Sequence, residues 1–358
     1  MSAAFHLLTI AEIVDETAEA RSIRFAIPEM LAGEFAFRPG QHLTLKADIG
    51  GEDIRRNYSL CVAPQDGQLK VTVKRIAGGV FSNWANDNLA PGDSIEVMPP
   101  HGSFTWEFRP EAKNHYAGFA GGSGITPVLS LLKTALLTEP DSKFTLFYGN
   151  RDSQSVIFLE ELAALKNRFM GRLQVHHFLA DEFEEIELFN GILDRAKCDL
   201  ILGSLIEPEE VDAFFICGPG PMMDAAEEAL KEVGVPADRI LVERFTAGRP
   251  SAAMAAEMQK LQDEAAGLAM TVTLDGRKRR VPFNAEAGNI LDSARLAGLP
   301  APFACKAGVC ATCRARVLTG EVTMAARYGL SDDEIAAGYV LTCQSVPKGE
   351  GVEVDYDA

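Results

Sequence analysis

Residues 303–317 read "FACKAGVCATCRARV", which sets Cys305, Cys310 and Cys313 within nine positions, and Cys343 follows in "YVLTCQS". The spacing C-x4-C-x2-C-x29-C matches plant-type thiolate ligation of a [2Fe–2S] cluster. The neighbours suit that chemistry. A cluster with bridging sulfides needs backbone N–H groups aimed at it, and Ala304, Ala307, Gly308, Ala311 and Thr312 are small enough for close wrapping. Gly308 is also free to take positive φ. Three other uses of the thiols compete. Structural disulfides fit poorly, because no secretory signal opens the chain and the loop is a poor one to staple. A structural zinc site normally shows two C-x2-4-C knuckles, and no second cysteine stands near Cys343 in the sequence. Four unrelated buried thiols are the remaining reading.

Two upstream segments pair with this one. "RRNYSL" (55–60) supplies Arg56, Tyr58 and Ser59, and "VKRIAGGVFSNW" (73–84) places Gly78-Gly79 before a short predicted helix. Bare N–H groups at a helix start favour a phosphate. Together the two segments have the parts to hold a flavin: an aromatic ring for the isoalloxazine, a hydroxyl for N5, and Arg with N–H groups for a pyrophosphate. Taken alone, four letters around a tyrosine describe a strand with a buried ring. "FAGGSGITPVLSLL" (119–132) sets G-x-G-x-x-P between a strand and a helix, departing from the dinucleotide fingerprint at its last position. Pro127 suits a first helical turn, and Gly122 and Gly124 are expected to let a pyrophosphate approach. "YGNRDS" (148–153) ends the next strand at the edge where such sheets bind ligands. Arg151 there is expected to pair with a 2′-phosphate, which favours NADPH over NADH, while the adjacent Asp152 competes for it. In "ICGPGPMM" (216–223), Cys217 is either a core residue or a thiol facing the nicotinamide.

The elements around these motifs divide the chain in three. Residues 1–110 read as short strands punctuated by Pro39-Gly40, Asp66-Gly67 and Pro91-Gly92, the pattern of an antiparallel β-barrel or sandwich. Residues 111–246 alternate strand and helix, which implies an α/β domain with a parallel sheet. Residues 247–268 show no regular apolar face and read as a linker, helical in part. Residues 269–358 begin with a hairpin turning at Asp275-Gly276, continue with a helix at "NILDSARLAGL", and carry a capping box at Ser331 and Glu334.

The 358 residues carry a net charge of −17, which argues against nucleic acid as a partner. The charge is uneven, with 22 Lys and Arg against 37 Asp and Glu over 1–246, and 10 against 11 over 269–358. No apolar run approaches the ~20 residues of a membrane helix. Seven cysteines and no targeting segment fit a reducing cytoplasm. The six histidines have no metal-ligand spacing and no E-x-x-H occurs, so the carboxylate di-iron pattern and the Rieske ligand pairs are both missing. Electrons prepared here are spent elsewhere.

Taken together, the motifs resemble the ferredoxin–NADP reductase superfamily, in the branch with a C-terminal plant-type ferredoxin domain, over essentially the whole chain. "FRPGQHLTLKA", "GGSGITP", "YGNRDSQS", "FICGP", "ACKAGVCATCRARVL" and "DEIAAGYVLTCQ" are similar to the reductases of phenylacetyl-CoA epoxidase-like complexes. The resemblance implies a flavin barrel, a nucleotide domain and a β-grasp ferredoxin domain, with FAD, NADPH and a [2Fe–2S] cluster as cofactors. It implies Arg56, Tyr58 and Ser59, with Leu60, Val73 and Lys74 beside them, at the flavin, and Gly79, Val80, Phe81 and Ser82 at its phosphates. Gly122, Gly124, Ile125 and Thr126 would seat the nicotinamide nucleotide, with Cys217, Gly218 and Pro219 at the hydride path and Phe245 covering the flavin. Cys305, Cys310, Cys313 and Cys343 would be the cluster ligands. Ser59 and Cys217 would align the reacting atoms without forming covalent intermediates. The implied partners are the oxygenase subunits of such an epoxidase, met through a cluster loop to which Lys306 and Arg314 add positive charge. The rival readings are the reductase of a Rieske-type or other oxygenase and, from another class, a non-catalytic metal-binding interaction protein.

Overall fold

Alternating apolar residues on neighbouring strands build the first module. In the computed structural model, which describes residues 5–245 and 252–358, Ile23, Phe25, Leu69, Val71 and Val73 turn inward and are buried. They lie on β2 (Ala20–Ala26) and β5 (Leu69–Lys74), two strands of a sheet completed by β1 (His6–Thr17), β3 (His42–Ile49), β4 (Glu52–Ser59) and β6 (Ser94–His101), with α1 (Val80–Asn88) inserted before the last. The sheet order is β4-β3-β6-β1-β2-β5, and its paired strands are antiparallel. The β3–β4 hairpin closes on Gly50-Gly51 with φ of 67° and 87°, the left-handed pair such a tight turn requires.

The second module alternates β7 (His115–Gly121), α2 (Ile125–Thr138), β8 (Lys143–Asn150), α3 (Leu159–Arg168), β9 (Leu173–Leu179), α4 (Arg195–Ser204), β10 (Ala213–Cys217), α5 (Gly220–Glu232) and β11 (Ile240–Glu243). Its parallel sheet runs β11-β10-β7-β8-β9. The strands are nearly continuous runs of apolar residues because both faces are covered, by α2 and α3 on one side and α4 and α5 on the other. Barrel and sheet are tied together by buried polar contacts. The Ser130 hydroxyl donates to the Val62 carbonyl at 2.6 Å, and the buried Lys133 ammonium reaches Asp66 at 2.7 Å and Glu161 at 2.6 Å.

One compact unit ends at Glu243 and a second begins at Arg244. The segment expected as a linker holds α6 (Ala252–Glu264), while residues 246–251 lie outside the described residues. Met258 and Leu261 of α6 pack on the core of the second unit, and Gln262 donates to the Gly288 carbonyl at 2.9 Å. The apolar face is short, which is why no long periodicity was visible. That unit continues with β12 (Ala269–Leu274), β13 (Arg277–Pro282), α7 (Ile290–Leu296), β14 (Arg314–Thr319), β15 (Val322–Met324), α8 (Asp332–Ala336), β16 (Tyr339–Leu341), β17 (Ser345–Pro347) and β18 (Glu353–Asp355). A five-stranded mixed sheet, β13-β12-β18-β14-β16, packs against α7, and β15 pairs β17. The Ser331–Glu334 capping box opens α8 as expected.

Burial holds His42, His115, His176 and His177 below the ordinary histidine range, His115 at about 4 against 6.5. Below pH ~6.5 the unfolded chain takes up protons at these sites that the folded unit refuses, so stability is full above that value and falls with pH. From His115 the first unit is expected to lose at most about 1.4 kcal/mol per pH unit as pH drops from 6.5 toward about 4. Thermal unfolding of His115→Asn across that range should show a slope shallower by about one proton. An unchanged slope would remove His115 from the account.

Candidate functional site

The four cysteines fall into two pairs. Hydrogen bonding within each pair sets the thiols apart: Cys310 and Cys343 are held below the usual thiol range by Cys305 and Cys313, which are themselves pushed up. No three His, Cys, Asp or Glu side chains among the described residues converge as they would around a single ion. Two thiol pairs instead match one pair per iron of a binuclear cluster. The loop turns N–H groups inward, with Ala307 N at 3.2 Å from Cys305 Sγ and Cys305 N at 3.5 Å from Cys310 Sγ. Thr312 Oγ1 lies 3.2 Å from Cys310 Sγ. A Cβ on Gly308, whose φ is +74°, would come within 2.9 Å of the Gln344 stem, so glycine is required there. Soft thiolates with N–H donors around them fit a [2Fe–2S] group.

Lys306 and Arg314 flank this loop, but neither presents a free charge. Lys306 Nζ sits 2.6 Å from Asp292 Oδ1 at the start of α7, and Arg314 is paired with Glu334 of α8. The expected positive surface is therefore largely neutralised, because partners far off in sequence arrive in space.

At the end of β4, Tyr58 and Ser59 point to opposite faces of the strand. The Tyr58 ring lies 5.7 Å from that of Phe81. Ser59 Oγ is buried without a hydrogen-bond partner, a polar atom left for something the chain does not supply. That orphan hydroxyl, beside the α1 N-terminus capped by Gly79, fits a flavin. The other residues divide. Phe81, Leu60 and Val73 are wholly in the barrel core, so their side chains support the site from beneath. Ser82 Oγ accepts from Ile76 N at 3.2 Å and holds the Gly78-Gly79 turn. Arg56 donates to the Arg55 carbonyl at 2.7 Å, and Val80 is exposed. Phe245 belongs to the second unit and is partly exposed.

A cavity of about 690 Å³ opens at the carboxyl edge of the parallel sheet. Lys74, Gly122, Arg151 and Pro219 line it, as do Asp194 and Arg195, which the sequence motifs did not point to. These two sit at the start of α4, where the Asp194 carboxylate caps the helix by accepting from Lys197 N, and only the β9–α4 crossover brings them there. Asn150 also lines the cavity, and its Nδ2 is buried without a partner. Arg151 Nε is held by Asp152 Oδ2 at 2.9 Å, the competition its neighbour suggested. Ile125 and Thr126 are buried, with the Thr126 hydroxyl donating to Ser123 O at 2.9 Å, so they shape the turn from within. Gly124 has a packing task as well. A Cβ there would stand 2.0 Å from the Cys217 carbonyl oxygen, so its smallness admits the β10 backbone. Burial, reinforced by Glu243, pushes the Cys217 thiol well up and keeps it neutral.

Comparison with known proteins follows the same division. The family model described as oxidoreductase FAD-binding domain matches residues 7–106, the oxidoreductase NAD-binding domain matches 119–228, and the 2Fe-2S iron-sulfur cluster binding domain matches 272–348. The chain is 45% identical to one of the subunits of 1,2-phenylacetyl-CoA epoxidase from Escherichia coli (strain K12), over 99% of this chain and 98% of that one. It is 39% identical to the ferredoxin reductase component of 3-ketosteroid-9-alpha-monooxygenase from Rhodococcus rhodochrous, over 98% and 96%. Among solved structures, phthalate dioxygenase reductase superposes with a TM-score of 0.62 at 25% identity over 98% of both chains. A type IV self-sufficient cytochrome P450 monooxygenase shares the fold with a TM-score of 0.70 at 23% identity, and this chain spans 41% of its length. Two oxidoreductase domains set aside the non-catalytic reading.

Gly124→Ala tests the backbone contact. With Cys217 O only 2.0 Å from the added carbon, the variant is expected to lose about 3 kcal/mol of stability, the upper end of overpacking costs. Reduction of bound flavin by NADPH, followed by stopped flow, should slow. Wild-type stability by denaturant titration would show that the two loops can part without cost.

Proposed function

This chain belongs to the ferredoxin–NADP reductase superfamily, in the branch with a 2Fe-2S domain that serves oxygenases, and from that premise we propose that it passes electrons from NADPH to the oxygenase subunits of a phenylacetyl-CoA epoxidase-like complex. The observation that supports the acceptor is the end-to-end likeness to a component of that epoxidase. When bound, FAD takes two electrons together and releases them singly to a [2Fe–2S] cluster, which carries one at a time.

The chain's own residues align and tune. The Ser59 hydroxyl bonds the flavin, the Tyr58 ring lies against it, and Arg56 with the N–H groups of Gly79 and Val80 meets its phosphates. Cys217 stays a protonated thiol and spaces the nicotinamide without attacking it. Lys74, at the cavity rim above Gly122, offers positive charge to the coenzyme phosphates. Cys305, Cys310, Cys313 and Cys343 would hold the [2Fe–2S] cluster, which would carry one electron at a time. The protein works in the cytoplasm, a reading supported by seven cysteines that are all free thiols.

The preference for NADPH rests on Arg151 in the cavity wall. A 2′-phosphate there would displace Asp152 from the guanidinium, so part of the gain is spent on that exchange. Arg151→Ala is expected to lower kcat/KM for NADPH about 10-fold, the low end for a charge-assisted bond, and to leave NADH nearly unchanged. Equal losses with both coenzymes would refute a 2′-phosphate contact.

The acceptor is tested by turnover. This protein, mixed with purified epoxidase subunits, should convert phenylacetyl-CoA in the presence of oxygen and NADPH. Cys310→Ser should abolish that turnover yet retain NADPH-dependent reduction of an artificial dye through FAD. The 39% identity to a 3-ketosteroid-9-alpha-monooxygenase reductase favours a second reading, service to another oxygenase. Coupling to that monooxygenase and not to the epoxidase would decide for it.

A further inference from the structure

Gln344 follows a cluster cysteine, and its side chain bridges the two halves of the thiol set. Its stem lies over the Gly308 backbone, where an added Cβ would meet Cγ of Gln344 at 2.9 Å. Its Nε2 stands 3.1 Å from the Lys306 carbonyl, 3.1 Å from the Cys343 carbonyl and 3.7 Å from Cys343 Sγ. All three neighbours are acceptors, so the orientation of the amide is decided by its surroundings. Two N–H bonds shared among three acceptors place a donor on the sulfur and a strut on the loop at once.

The strut meets the loop at a costly point. Lys306 has φ +52° and Ala311 φ +54°, left-handed conformations for residues with a Cβ. Around the opposite pair, Cys305 and Cys310, stand two loop N–H donors and Thr312 Oγ1, 3.2 Å from Cys310 Sγ. Gln344 gives Cys343 a side-chain donor of its own. A hydrogen bond to a ligand sulfur favours the form with more negative charge, which is the reduced cluster.

Resting on the [2Fe–2S] reading of the four cysteines, we infer that Gln344 sets the reduction potential of this site, raising it by donating to Cys343 while it ties Cys343 to the Cys305–Cys313 loop. The chemistry is general, but the residue is not part of the C-x4-C-x2-C-x29-C pattern, and the spacing alone assigns it nothing.

The test uses the full-length holoprotein and an EPR-monitored redox titration, with iron content and the flavin potential measured alongside. Gln344→Leu keeps bulk over Gly308 and removes the donor. Its cluster potential is expected to fall by about 59 mV, a tenfold shift in the one-electron equilibrium, with the flavin potential unmoved. Gln344→Glu keeps the shape, replaces the donor with a carboxylate, and should fall at least as far; it carries the test if the leucine variant fails to hold iron. A full complement of iron with an unchanged cluster potential in either variant overturns the inference. A wild-type protein lacking the [2Fe–2S] EPR signal would instead sink the cluster reading beneath it.

Discussion

Much of the reductase unit hangs on a contact between two backbones. Gly124 lies so close to the Cys217 carbonyl that no side chain fits between. That approach holds the loop after β7 against the loop after β10, and Tyr148 of β8 secures it by donating to the Gly122 carbonyl at 3.0 Å. From Cys217 the chain of contacts continues across the sheet register to Glu243 on β11. Glu243 Oε1 stands 3.8 Å from His42 Nδ1, and His42 pairs on β3 directly with Ser59. A thiol expected at the nicotinamide and a hydroxyl expected at the flavin are thus joined by rigid strands and one buried imidazole, not by loops. Alignment to within fractions of an ångström requires such a scaffold.

The cluster loop meets the same demand differently. It has little regular structure, and two of its non-glycine residues sit at positive φ at a cost of order 1–2 kcal/mol each. What sustains the conformation is a set of bonds from outside the loop. Gly329 N donates to the Gly308 carbonyl at 3.0 Å, Gln344 reaches Lys306, and Asp292 holds the Lys306 ammonium. Cys313 and Cys343 are buried in the core cluster that also contains α7 and the central strands, so this side of the ligand set is part of the fold's own packing.

Legibility in the sequence followed how local each constraint is. The cysteine spacing and the Asp275-Gly276 hairpin are encoded within short segments, and both were readable. Burial is less legible: the side chains of the motif residues Phe81, Leu60, Val73, Ile125 and Thr126 are all buried, which the motifs by themselves do not reveal. The motif marks Gly124 as a place for close approach, but that Cys217, 93 positions away, is one of the groups approaching is something no local pattern indicates. Asp194 and Arg195 reach the nucleotide cavity only through a crossover helix. For the linker segment, helix is one part of the reading, and what the sequence hides is its packing on the second unit, because Met258, Leu261 and Gln262 cover too few turns for a periodicity to emerge.

Charge pairing also changes how an acceptor would be recognised. The acidic excess of this chain lies in residues 1–246, while residues 269–358 are close to neutral. Around the cysteines the cations are already satisfied: Lys306 by Asp292, Arg314 by Glu334, and on the neighbouring sheet Lys278 by Glu353. Paired charges cancel beyond roughly one Debye length, about 8 Å at physiological ionic strength. Such a surface exerts little long-range pull on a partner, and association there falls to shape and short-range contact rather than steering. Of the small residues at 304, 307 and 308, the first and last are buried and the second is half-buried, so their smallness serves the inside of the loop, admitting the backbone to the thiols.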